Sequence, residues 1–166
     1  VTRNGTKVDL LVAHCSATRP SQDIGVAEIR SMHRKLGWFD IGYNFVIRRN
    51  GVIEVGRDIN RDPCHIGDSG PGLNRRSIGV CMVGGVDERG IPAPTFTAPQ
   101  LDALREHLDG LAKGYGITDE NILGHNDCIR LARLGHWGKR VAAPAKACPS
   151  FVFRHWWETG EVVPFR

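Results

Sequence analysis

Apolar positions along this chain recur in two different periods, and the elements are marked where the period changes. Residues 9–15 are almost unbroken in apolar character, with Leu10, Leu11, Val12 and Ala13 running into His14 and Cys15, and they read as a buried strand. Farther on, Val26, Ile29, Met32, His33 and Leu36 recur at three- and four-residue steps. That spacing predicts a helix capped by Ser21 or Asp23 and stopped by Gly37. Residues 43–48 and 52–55 are short β-rich runs joined by Arg49, Asn50 and Gly51, and an Asn-Gly pair in that position predicts a hairpin. Residues 60–76 are rich in Gly, Pro, Asp and Asn and predict a long loop. Residues 77–83 form a second buried strand, ended by Gly84 and Gly85. Thr97 caps a second helix to about Gly114, with Leu101, Leu104, Leu108 and Leu111 as its stripe. A short apolar run through Gly124 leads into His125, and a last short helix holds Val152, Trp156 and Trp157. Strands and helices interleave, which predicts one α/β domain over residues 1–166, a central mixed β-sheet flanked by helices.

Composition narrows the class without naming the chemistry. The 166 residues suit one compact core, and 41% hydrophobic with 24% charged is ordinary for a globular domain. No apolar run approaches the roughly 18 residues of a membrane span. Residues 1–7 are polar and include Gly5, unlike a secretory signal. The net charge of +4 is local, because residues 129–145 hold Arg130, Arg133, Lys139 and Arg140 and no acid, leaving the rest formally neutral. Nucleic-acid binding is therefore not expected. The five cysteines, Cys15, Cys64, Cys81, Cys128 and Cys148, are odd in number and form no CxxC pair, which excludes a zinc ribbon, a thioredoxin site and a full disulfide framework.

Catalytic zinc takes three protein ligands and keeps one position open, and His14, His125 and Cys148 are candidates at strand ends or in an irregular segment. They lie 111 and then 23 residues apart, so spacing alone does not select them from seven His and five Cys. Motifs do. The run Ile29-Arg30-Ser31-Met32-His33 through Gly37-Trp38-Phe39-Asp40-Ile41-Gly42-Tyr43-Asn44-Phe45 resembles the helix-to-strand signature of the N-acetylmuramoyl-L-alanine amidase family. That family includes amidase-type phage lysozymes and animal peptidoglycan recognition proteins. Four further blocks agree in order, around His14-Cys15-Ser16-Ala17-Thr18, Asn74 with Ser77-Ile78-Gly79-Val80, Gly124-His125-Asn126-Asp127, and Lys146-Ala147-Cys148-Pro149-Ser150. The likeness, strongest to the small lysozymes of short-tailed coliphages, runs from about residue 8 to 158.

The resemblance implies Zn2+ on His14, His125 and Cys148 at strand ends in an open groove, with Tyr43 and Lys146 catalytic. It implies cleavage of the amide between N-acetylmuramic acid and L-alanine of peptidoglycan. One of Tyr43 and Lys146 would orient water or relay a proton and the other would meet the oxyanion, and which does which stays open. His65 and Asn74 fall on groove positions and are candidate substrate contacts, against the alternative of solvated loop residues. As a phage endolysin the protein would accumulate in the host cytoplasm and act on the cell wall as a monomer. Non-catalytic peptidoglycan binding and restraint of a phage RNA polymerase are the alternatives the family offers. Asn44 departs from the His found in many relatives, and the His125–Cys148 gap exceeds that of the coliphage enzymes, giving an insert at about 128–141. Cys15 is expected to face away from His14 as a buried structural thiol, and Cys64 and Cys128 to be free thiols or a disulfide. Trp156 and Trp157 are expected to anchor the last helix.

Overall fold

A computed structural model describes residues 1–67, 72–138, 140, 142 and 146–166. The chain begins with a two-stranded hairpin, β1 (Thr2–Arg3) and β2 (Thr6–Lys7). The main sheet takes β3 (Leu10–Cys15), β4 (Phe45–Ile47), β5 (Ile53–Val55), β6 (Ser77–Met82) and β7 (Ile122–Gly124) in the order β5-β4-β6-β3-β7. β4, β6, β3 and β7 run parallel, and β5 closes the edge antiparallel to β4 through the Asn50-Gly51 turn. The sheet is therefore mixed, and β3 and β6 are buried along their whole length, as their apolar runs require.

Each face of the sheet has its own cover. Leu11, Ala13, Ile78, Val80 and Met82 point to the face that receives Leu104 and Leu108 of α3 (Ala98–Tyr115) and Phe153, Trp156 and Trp157 of α5 (Phe153–Thr159). Leu10 and Val12 point the other way, toward Ile66, Leu73 and Cys128, and Val46 and Cys81 on that same side meet Val26 and Ile29 of α1 (Val26–Lys35). Strand alternation puts His14 on this second face with Leu10 and Val12.

Thr97 caps α3 as expected, its hydroxyl accepting from the Gln100 N–H, and Gly116 ends the helix in the left-handed conformation. Three expectations change. α1 is capped at Gly25, not at Ser21 or Asp23, because two carboxylates take the N–H groups at its start: Glu28 accepts from Gly25 at 2.8 Å and Glu54 from Val26 at 2.6 Å. Its later apolar residues, Met32 and Leu36, are exposed, so only the first half of the helix packs on the sheet. The loop at 60–76 ends in a short helix, α2 (Leu73–Arg76). Beyond His125 the chain continues as α4 (His125–Leu134), so the first part of the insert is helical. Leu131 and Trp137 pack against the cluster of Leu10, Val12 and Cys128, while Leu134 is exposed. Lys139 and Val141 of the insert lie outside the described residues. Among the described residues no helix is long and apolar enough to cross a membrane.

Candidate metal centre and active site

His14 is the penultimate residue of β3, and His125 is the first residue of α4, directly after β7. β7 pairs in parallel with β3, so two neighbouring strands end side by side and bring the two rings to 4.6 Å between centroids. Cys148 is carried in by a segment stitched to the start of α4. The Asn126 N–H donates to the Cys148 carbonyl at 2.8 Å, and Asn126 Nδ2 donates to the Phe151 carbonyl at 3.1 Å. Cys148 Sγ lies 3.7 Å from His14 Nδ1. One ligand atom each from His14, His125 and Cys148 lies within 4.8 Å of the others, and among the described residues no fourth metal-binding side chain joins the group. Two imidazoles and a thiol in that arrangement fit a borderline-soft divalent cation such as zinc, with a coordination position to spare.

The surroundings suit neutral imidazole ligands. Burial depresses the pKa of His14 well below its ordinary value, and His125, His65 and the Lys146 charge push the same way. Burial raises the Cys148 thiol well above its ordinary value, so its deprotonation calls for a nearby cation. One donor already points at that sulfur, the backbone N–H of Cys15 at 3.2 Å. Cys15 is buried as expected, yet it is not remote from the site: its N–H and its thiol both hydrogen-bond Cys148, and its thiol also meets Ser150 Oγ at 3.6 Å.

Tyr43 stands beside the trio, its ring 5.2 Å from that of His14. Burial holds its hydroxyl protonated by raising the pKa well above the usual value, and the Cys81 thiol hydrogen-bonds it. Lys146 is half-buried two residues before Cys148, near enough for its charge to act on His14. A cleft of about 610 Å³ runs from Lys146 and Asn126 past Arg130 and Arg133 to Phe165.

His65 and Asn74 sit differently from surface contacts. His65 is buried, with Nδ1 2.8 Å from His14 Nε2 and Nε2 3.2 Å from Ser77 Oγ. Asn74 Oδ1 accepts from the N–H groups of His65 and Ile66, both at 3.0 Å. Asn44 is fully buried and braces the sheet: Oδ1 accepts from the Gly79 N–H at 3.1 Å, and Nδ2 donates to the Arg57 carbonyl at 3.3 Å. The sequence reading missed His33, whose Nδ1 accepts from the Gly42 N–H next to Tyr43. Its signals were its place on the apolar stripe of α1 and in the helix-to-strand motif. Cys64 and Cys128 are both free, the latter on the buried face of α4.

A mixed α/β sheet with a His–His–Cys trio at its strand ends that could hold a metal ion, and a tyrosine and a lysine beside it, is an arrangement suited to a hydrolase. The profile of the N-acetylmuramoyl-L-alanine amidase family matches residues 4–151. The chain is 42% identical over 153 residues to the endolysin of Klebsiella phage KP32, covering 92% of this chain and 87% of that one. It is 41% identical over 155 residues to the endolysin of Escherichia phage T7, covering 93% and 89%. Among solved structures, the N-acetylmuramoyl-L-alanine amidase LysC from Clostridium intestinale URNW superposes with a TM-score of 0.62 at 26% identity, over 85% of this chain and 75% of that one. The chain belongs to the N-acetylmuramoyl-L-alanine amidase family.

Proposed function

We propose that this protein is a phage endolysin that hydrolyses the amide between N-acetylmuramic acid and the L-alanine of the stem peptide, using zinc held by His14, His125 and Cys148. The observation that carries this is the meeting of those three ligand atoms within 4.8 Å, beside Tyr43 and Lys146, in a chain of this family. When bound, zinc supplies a Lewis acid and an activated water at neutral pH.

The chain's own residues do the rest. His14 enters the site as a neutral donor because burial disfavours its charged form. The Cys15 N–H stabilises negative charge on Cys148 Sγ. The Tyr43 hydroxyl keeps its proton and serves to orient the attacking water or pass a proton on. Lys146 places a cation where the oxyanion develops, and such donors are worth about 10²–10³ in rate. The protein would reach the wall from the host cytoplasm at lysis.

Mass spectrometry of the soluble products of purified peptidoglycan, with and without a zinc chelator, tests the assignment. Stem peptides with a free alanine N-terminus, lost on chelation and restored by zinc, are expected. New reducing sugar ends would overturn it, as would wall binding without release.

A further inference from the structure

Both ring nitrogens of His65 are engaged inside the fold, and the order of its partners has a direction. The chain of contacts ends at the carbonyl of Asn74, 3.2 Å from Ser77 Oγ, and a carbonyl can only accept. With the Ser77 hydroxyl donating there, its oxygen is left to accept from His65 Nε2 at 3.2 Å. With its proton on Nε2, neutral His65 has a bare Nδ1, and this accepts from His14 Nε2 at 2.8 Å. His14 is then protonated on Nε2 and presents the lone pair of Nδ1, the atom 3.7 Å from Cys148 Sγ. In this arrangement the ring orientation turns Nδ1 of His14 toward Cys148, and the chain of hydrogen bonds places its proton on Nε2.

We propose that His65 is a positioning residue, setting the tautomer and ring plane of His14 for metal binding through the one-way chain His14–His65–Ser77–Asn74. The inference rests on the zinc reading above for what His14 presents its lone pair to, and on hydrogen-bond geometry alone for the chain. The fold is built around this ring. His65 packs over Gly79 in the middle of β6, where an added Cβ would lie 2.6–2.8 Å from three of its ring atoms. Gly79 is itself fixed by Asn44, which takes its N–H at 3.1 Å. Asn74 contributes twice, its carbonyl ending the chain and its side-chain oxygen holding the backbone of His65 and Ile66. Arg3 locks the far end, with Nη1 donating to the Ser77 carbonyl at 2.9 Å and reaching that of Asn74 at 3.4 Å. The rings of His14 and His65 meet edge to face at 83°, so a shift of one turns the other off the site. Outer partners of this kind are worth about 10–100-fold in metal affinity.

The test compares zinc affinity, by competition with a chromogenic chelator, in the full chain and in three variants. His65→Leu removes the acceptor, Gly79→Ala displaces an intact His65, and His65→Asn retains an acceptor near the Nδ1 position. The first two are expected to bind zinc about 10–100-fold more weakly, and His65→Asn to recover much of the loss. Histidine 15N shifts of the unsubstituted protein, which need no variant to fold, are expected to show His65 and His14 both protonated on Nε2. Tight zinc binding by the parent with no loss in folded His65→Leu would overturn the proposal alone, as would a His65 protonated on Nδ1. A parent chain that binds no zinc would overturn the metal reading and this proposal with it.

Discussion

The backbone N–H of Gly42 donates to Nδ1 of His33 at 2.9 Å, tying the last turns of α1 to the residue before Tyr43. The contact is reinforced from both sides. The His33 ring lies 4.6 Å from Trp38 and 5.4 Å from Tyr43, and the Cys64 N–H donates to the Gly42 carbonyl at 3.0 Å. A Cβ at position 42 would fall 2.2 Å from the Cys64 carbonyl oxygen, so only glycine allows this approach.

Gly42→Ala and His33→Ala are therefore expected to displace Tyr43 while leaving the three ligand residues in place. A shift of that kind costs about 10²-fold in turnover. Zinc content measured beside the rate of peptide release separates this from loss of the metal, and a variant that loses both together would contradict the positioning role.

Tyr43→Phe and Lys146→Ala remove one polar group each from the site. Each is expected to lower kcat by about 10²–10³ with KM and bound zinc little changed. Full activity in either variant would remove that residue from the chemistry.

Stability should depend on pH through the buried histidines. Burial depresses both His14 and His65, aided at His14 by His125 and Lys146 and at His65 by His125, Arg3 and Arg57. The unfolded chain takes up protons near pH 6.5, where the folded chain does not. The stability of the zinc-free protein is thus fully present above about pH 6.5 and falls as the pH drops toward the depressed folded values. The slope is up to about 1.4 kcal/mol per pH unit for each imidazole that stays neutral. Urea midpoints of the zinc-free protein between about pH 8 and pH 5 check this, and a flat profile contradicts it.

Arg105 holds the last helix. Its Cζ sits 4.1 Å and 4.4 Å from the ring centroids of Trp157 and Trp156, and its Nη atoms donate to their carbonyls at 2.7 Å and 2.8 Å. Arg105→Ala is expected to cost about 2–3 kcal/mol in thermal or urea unfolding. Peptide release below the melting range should be unchanged. A fall in release without a fall in stability would instead place the two tryptophans on the sugar.

Much of the fold is legible in the sequence. The unbroken apolar runs of β3 and β6 could only be strands covered on both faces, and Thr97 with the leucine steps behind it could only open an amphipathic helix. These are short-range patterns, set by strand and helix periods that a dozen residues suffice to display. The trio of His14, His125 and Cys148 that the fold brings together was legible only through the motifs, since residues 111 and 23 apart carry no spacing signal of their own.

The remainder depended on partners distant in the chain. Glu54 decides where α1 starts, because a helix N-terminus takes whatever acceptor the fold brings to it, and this one comes from the edge hairpin. Cys15 reads on its strand as turned away from the site, yet its N–H meets Cys148, 133 residues later. His65 reads as a loop histidine because it lies in the Gly-, Pro- and Asp-rich stretch at 60–76, far in sequence from the candidate ligands. Parallel pairing of β3 and β6 places Leu10, Val12 and His14 level with Ser77, Gly79 and Cys81, and the glycine at the centre leaves the space that its ring fills. Sequence determined the elements and the types of chemistry available. Register and close packing between distant segments decided which nitrogen, which sulfur and which carbonyl face one another, because hydrogen bonds and ligand contacts are fixed to tenths of an ångström that no local pattern encodes.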